Sequence, residues 1–130
     1  MAVSAGFIDF VKDAFTPFGE ITVRKMFGGG GVYCDGMFFA VLDEETVYLK
    51  TDAVTRAAFE GAGLEAFSFE TKNGDIALTS YFAAPEGMFD DEDELRRWTT
   101  LALDAARRAV KLKPAPARKA AKKVAKKKRV

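Results

Sequence analysis

Apolar residues at Phe7, Phe10, Val11, Ala14, Phe15 and Phe18 recur three and four apart, while Asp9, Lys12 and Asp13 fall between them. That period predicts an amphipathic helix over residues 4–18, with Ser4 as its N-cap and Pro17 and Gly19 as its stop. From residue 21 the period changes to two. Ile21, Val23, Lys25 and Phe27 share one face of an extended strand, and Thr22, Arg24 and Met26 share the other. A core contact through Ile21 and Val23 would also bury the Lys25 ammonium, which is costly without a partner. The strand must therefore bend near Arg24, or Lys25 must lean outward past a sheet edge.

Four glycines, Gly28, Gly29, Gly30 and Gly31, come next, and a flexible hairpin loop is expected there. A short strand over residues 32–34 leads to Asp35-Gly36, a hairpin dipeptide, and then to a continuous apolar run over residues 37–42. Asp43-Glu44-Glu45 reads as a second turn. Val47 and Leu49 then alternate with Tyr48 and Lys50. The expected structure is an antiparallel meander, with three or four strands depending on whether Asp35-Gly36 is a turn or a bulge in one long strand.

Asp52 is an N-cap for a helix over residues 53–60, which Gly61 and Gly63 would end. Phe67, Phe69 and Thr71 alternate with Ser68, Glu70 and Lys72. Asn73-Gly74 predicts a tight turn, and a return strand over residues 75–83 carries Ile76, Leu78 and Phe82 in phase. Beyond Pro85 and Gly87, Leu95, Trp98, Ala102, Ala105, Ala109 and Leu112 are spaced three and four apart, predicting a long helix that starts near Asp91. The acids at residues 90–94 suit its positive end, and Arg107, Arg108 and Lys111 suit the other.

Composition sharpens this picture mainly through charge. Of the twenty Lys and Arg, ten follow residue 110 (Lys111, Lys113, Arg118, Lys119, Lys122, Lys123, Lys126, Lys127, Lys128 and Arg129), with no acid among them. The other ten face all nineteen acids, giving a body of about −9 joined to a tail of about +10. Residues 113–130 are low-complexity Lys, Ala and Pro and are expected to be disordered in solution; residues 1–112 form one domain. Lysine and arginine near phosphates release condensed counterions, so the tail predicts non-specific nucleic-acid binding. There is no long apolar span and no signal-peptide pattern, and a cytoplasmic protein without membrane contact is expected.

Candidate chemistry is sparse. The chain has no histidine and one cysteine, Cys34, which closes histidine-assisted catalysis, disulfides within the chain and ordinary zinc sites. Cys34 is read as a packed or partly exposed strand thiol rather than a nucleophile. The acids at residues 90–94 fan out around a helix and do not converge on a metal. Arg24, Lys25, Gly28, Gly29, Gly30, Gly31 and Tyr33 form the one candidate binding surface, where glycine amides and two cations could hold an anion. Both flanks read as strands, however, whereas a P-loop or dinucleotide fingerprint feeds a helix. No catalytic constellation, metal site or cofactor is expected.

Arg24-Lys25-Met26-Phe27-Gly28-Gly29, then Gly31-Val32-Tyr33, Asp35-Gly36, Phe39-Ala40, Val47-Tyr48-Leu49-Lys50 and Trp98 together resemble the N-terminal domain of the TfoX/Sxy family of bacterial competence regulators, over residues 10–109. The resemblance implies an α/β (α+β), two-layer domain, α-β3-α-β2-α in outline, with one antiparallel sheet and a long C-terminal helix. It also implies a transcriptional co-regulator without enzymatic activity, and it supplies no catalytic residues. Full-length regulators carry a second, helical domain where this chain has its lysine-rich tail, so a stand-alone form is expected. The leading expectation is a non-enzymatic regulatory or interaction domain with a nucleic-acid-binding tail, a transcription-related protein partner and a sheet through which two copies could pair. The alternative is a domain that binds a small anionic ligand through Arg24, Lys25 and the glycine amides.

Overall fold

The computed structural model describes residues 3–26 and 29–112; the tail at residues 113–130, expected to be disordered, lies outside them. Helix α1 (Ala5–Phe15) begins where Ser4 Oγ accepts the Phe7 amide at 3.1 Å, as the N-cap reading requires. It tightens into a 3-10 turn, Thr16–Phe18, before Gly19 breaks it. Gly19 adopts φ +150°, and a Cβ there would strike the Asp35 carboxylate and Cys34 Sγ, so glycine is required by both backbone and space. Val11 and Phe15 are fully buried, whereas Phe10 is 47% exposed: the apolar stripe is wider than the face that reaches the sheet.

Strands β1 (Ile21–Met26), β2 (Gly29–Cys34), β3 (Met37–Asp43) and β4 (Thr46–Lys50) form the meander. Asp35 (φ +50°) and Gly36 (φ +85°) make a true two-residue turn, so the meander has four strands and the three-strand outline is corrected. The glycine-loop expectation is corrected too: Gly29, Gly30 and Gly31 belong to β2 and pair with β1, and Gly30 and Gly31 pair with β3 as well. Gly28 lies outside the described residues. A bulge is also present, one strand further on. Val32 pairs with Ala40 but Tyr33 pairs with Phe38, leaving Phe39 as the extra residue. Phe39 and Ala40 are therefore both fully buried despite being adjacent, which explains why the run through β3 is continuously apolar rather than alternating.

Helix α2 spans Arg56–Gly61, shorter than expected, because Asp52 caps a preceding turn rather than the helix: its Oδ1 accepts the Val54 and Thr55 amides at 3.0 and 3.2 Å. Strands β5 (Ala66–Thr71) and β6 (Gly74–Ala83) form the second hairpin. Its turn is Lys72-Asn73, one residue earlier than expected, because Thr71 pairs with Gly74, whose φ of +110° opens β6. Helix α3 (Glu92–Leu112) starts one residue after Asp91, whose Oδ1 accepts the Asp93 and Glu94 amides at 2.9 and 3.2 Å.

The six strands make one antiparallel sheet in the order β1-β2-β3-β4-β6-β5. All three helices lie on one face: α1 packs over β1, α3 over β3 and β4, and α2 over β6. Between helices and sheet, Phe15 meets Phe39 edge-on at 5.1 Å, and Phe59 meets both Trp98 and Phe82 at 4.8 and 5.9 Å. Burying each such side chain contributes about 1.5–3 kcal/mol, and these rings join α1, α2 and α3 to one core.

Candidate binding surface

Two-residue periodicity sends alternate side chains of each strand away from the helices. Ile21, Val23 and Met37 pack on the core, and Val32, Cys34, Leu42, Val47, Leu49 and Phe82 are buried in it. Their neighbours Thr22, Arg24, Tyr33, Phe38, Val41, Tyr48, Lys50 and Tyr81 take the opposite face, and none of them packs against the core cluster. Among the described residues no helix covers this face.

Its centre is aromatic. Tyr33 and Phe38 are cross-strand partners with ring centroids 5.1 Å apart, and Phe38 leans to within 5.8 Å of Tyr81. A cation sits over each end of this row: the Arg24 guanidinium lies 5.5 Å from the Tyr33 centroid and the Lys50 ammonium 5.1 Å from that of Tyr81. A second pair, Tyr48 and Phe67, lies nearer the β3–β4 turn with centroids 4.9 Å apart. Burial pushes the Tyr48 hydroxyl pKa up, and the nearby carboxylates Asp43, Glu65 and Glu44 push it further. Burial, then proximity to Tyr33, likewise raises that of Tyr81. Both phenols are neutral at physiological pH.

The residues singled out in the sequence are divided by this arrangement. Arg24 and Tyr33 stand together on the open face. Lys25 belongs to the core-facing side but is exposed, because β1 is the edge of the sheet and its stem can pass outward. Arg24 and Lys25 thus diverge. Gly29, Gly30 and Gly31 lie in a strand paired with β1, and Gly30 and Gly31 with β3 also, where ladder pairing competes with any anion for their amides. What the glycines do instead is allow close approach: a Cβ on Gly29 would be driven into the Leu42 carbonyl, and one on Gly30 would meet Val23 Cγ1 at 3.3 Å. Phe38, Lys50 and Tyr81 were missed as surface residues. Their signal was present in the alternation around Tyr48 and Tyr81, but the bulge at Phe39 obscures which side Phe38 takes.

Cys34 is buried, and its Sγ donates to the Phe18 carbonyl at 3.4 Å. Burial, with Asp35 adding to it, raises the thiol pKa, so Cys34 is a packed thiol and not an activated one. An ion pair linking distant elements has no signal in the local sequence pattern. Arg108 on α3 donates through Nε and a terminal nitrogen to both Asp52 oxygens, at 2.6 and 3.0 Å. The Arg108 bonds are the main reason the Asp52 pKa falls from 3.8 to about 2. Among the described residues no group of three or more Cys, Asp or Glu is placed to hold a metal, and no helix is long and apolar enough to cross a membrane.

The model of the TfoX N-terminal domain family matches residues 13–106, most of the chain and all six strands of the described fold. The chain belongs to the TfoX N-terminal domain family. That family is regulatory, competence-related and non-catalytic. No curated protein sequence matches the chain. The match covers the meander, the second hairpin and most of α3 of this TfoX-type domain, so the bulged β3 and the open aromatic face both fall within the family's span.

Proposed function

We propose that this TfoX-type chain is a non-enzymatic transcription co-regulator that attaches to nucleic acid without sequence preference through its basic tail. The observation that carries the reading is the charge segregation: ten cations without an acid follow residue 110, whereas residues 1–110 carry nineteen acids and ten cations. The net-negative body as a whole gives phosphate no long-range attraction, whereas the tail does, so the tail supplies the attachment and holds the domain near a transcription-related protein partner. The cytoplasm, where such a complex would form, is its proposed location.

A salt titration on random-sequence duplex DNA tests this. In the full chain, log K should fall linearly with log salt, with a slope of about −0.9 per phosphate neutralised. Replacing Arg118, Lys119, Lys122, Lys123, Lys126, Lys127, Lys128 and Arg129 by Gln should abolish most of the affinity and most of the slope. Equal binding by the two proteins would end the reading. Recovery of protein partners from native extract, with and without nuclease, separates the co-regulator from a protein that only coats nucleic acid.

A further inference from the structure

We propose that the helix-free face of the sheet is a platform for single-stranded nucleic acid, with bases stacking on Tyr33, Phe38 and Tyr81 and phosphates held by Arg24 and Lys50. This deepens the nucleic-acid reading above, but it rests on a separate observation. The three rings form a continuous row, with steps of 5.1 and 5.8 Å between centroids, on a face that no described helix covers. None of the three is part of the core cluster, and all three keep partial exposure, so a planar ligand can reach them from the open side.

The charge pattern selects the occupant. Arg24 and Lys50 already lie over the two end rings, at 5.5 and 5.1 Å, so a cation flanks the aromatic row at each end. That combination suits a polyanion with flat apolar bases: stacking is tolerant of base identity because every base has a π-face, and the cations track the backbone. The carboxylates that perturb Tyr48, namely Asp43, Glu65 and Glu44, lie toward the other end of β4 and confine the phosphates to the Arg24–Lys50 row. A second copy laid face to face would set cations against cations, which disfavours self-association there. The row is at most about 11 Å long, the two steps combined, and holds about two or three bases, as aromatic residues do on other RNA-binding sheets. A duplex cannot use it, because its bases are already stacked and paired.

The test uses the full chain in fluorescence anisotropy with labelled oligo-dT, oligo-U and a duplex of equal phosphate number, at about 0.15 M salt. The expected result is tighter binding of the single strands than of the duplex. Tyr33→Leu and Tyr81→Leu, which keep apolar bulk, should each weaken single-strand binding about tenfold while leaving duplex binding unchanged. The single-strand preference should survive Gln replacement of the tail cations, even if overall affinity drops. Equal affinity for single strand and duplex, or a preference untouched by both Tyr variants, overturns the platform while leaving the tail reading intact. Loss of all binding on tail replacement also overturns the platform. If a Tyr variant does not fold, photocrosslinking of bromouracil-substituted oligonucleotide to the unaltered protein decides the matter. Adducts at Tyr33, Phe38 or Tyr81 support the platform, and adducts confined to the tail refute it. The dT and U arms show whether DNA or RNA is preferred.

Discussion

The Asp52–Arg108 pair fastens the C-terminal helix to the loop that leaves the central strand β4, and its contribution can be worked out from the structure. A carboxyl whose pKa falls from 3.8 in the unfolded chain to about 2 in the folded one contributes at most about 2.4 kcal/mol at neutral pH. The side chains are 27% and 37% exposed, so solvent screening reduces this, and about 1 kcal/mol is the expected coupling. Asp52→Asn keeps an oxygen for the Val54 and Thr55 amides but removes the charge, and Arg108→Met keeps the aliphatic stem. A double-mutant cycle by urea denaturation at pH 7 should return a coupling of about 1 kcal/mol, equivalent to a few degrees in Tm for a domain of this size. The folded pKa lies below the unfolded one, so the stabilisation is complete well above pH 3.8 and disappears as pH falls through about 2. The gap between wild type and Asp52→Asn should therefore shrink across that window. A coupling near zero, or a gap that does not change with pH, would refute the argument.

Two further outcomes follow from buried groups. Thr99 is fully buried on α3 and its hydroxyl has no hydrogen-bond partner among the described residues, so Thr99→Val should leave stability unchanged or raise it by up to about 1 kcal/mol in urea denaturation. Cys34 combines burial with a raised thiol pKa, so a thiol reagent at pH 8 should react with the native protein far more slowly than with the urea-unfolded chain; equal rates would show that the strand thiol is accessible.

Most of the fold was legible because its elements carry strong local signals. The Ser4 cap and the three-and-four spacing gave α1, the alternation around Val47 and Leu49 gave β4, and the acidic start before Leu95 gave α3. Where the reading slipped, a long-range contact had overridden local pattern. Gly29, Gly30 and Gly31 have no strand propensity, yet they form β2 because β1 and β3 pair on either side and bring backbone close enough to exclude a Cβ at Gly29. The turn at Lys72-Asn73 is one residue from the expected position because cross-strand register, and not the dipeptide alone, sets where a hairpin closes.

The candidate surface was half visible. Of the glycines, Gly29, Gly30 and Gly31 lie in β2 and Gly28 lies outside the described residues. Arg24 and Tyr33 draw attention through their place beside the glycines, and they do stand together on the open face. Phe38, Lys50 and Tyr81 join them only through the order β1-β2-β3-β4-β6-β5 and the bulge at Phe39.

By itself the sequence determined the helices, the antiparallel hairpins, the separation of charge and the lack of histidine chemistry, since all of these depend on spacing within about ten residues or on composition. Only the tertiary structure decided that Lys25 is spared burial at a sheet edge, that Arg108 reaches Asp52, and that the open face carries aromatic rings capped by cations. Each of those depends on which strands become neighbours, and that is fixed by packing around Phe15, Phe39, Phe59 and Trp98 rather than by any local run of residues.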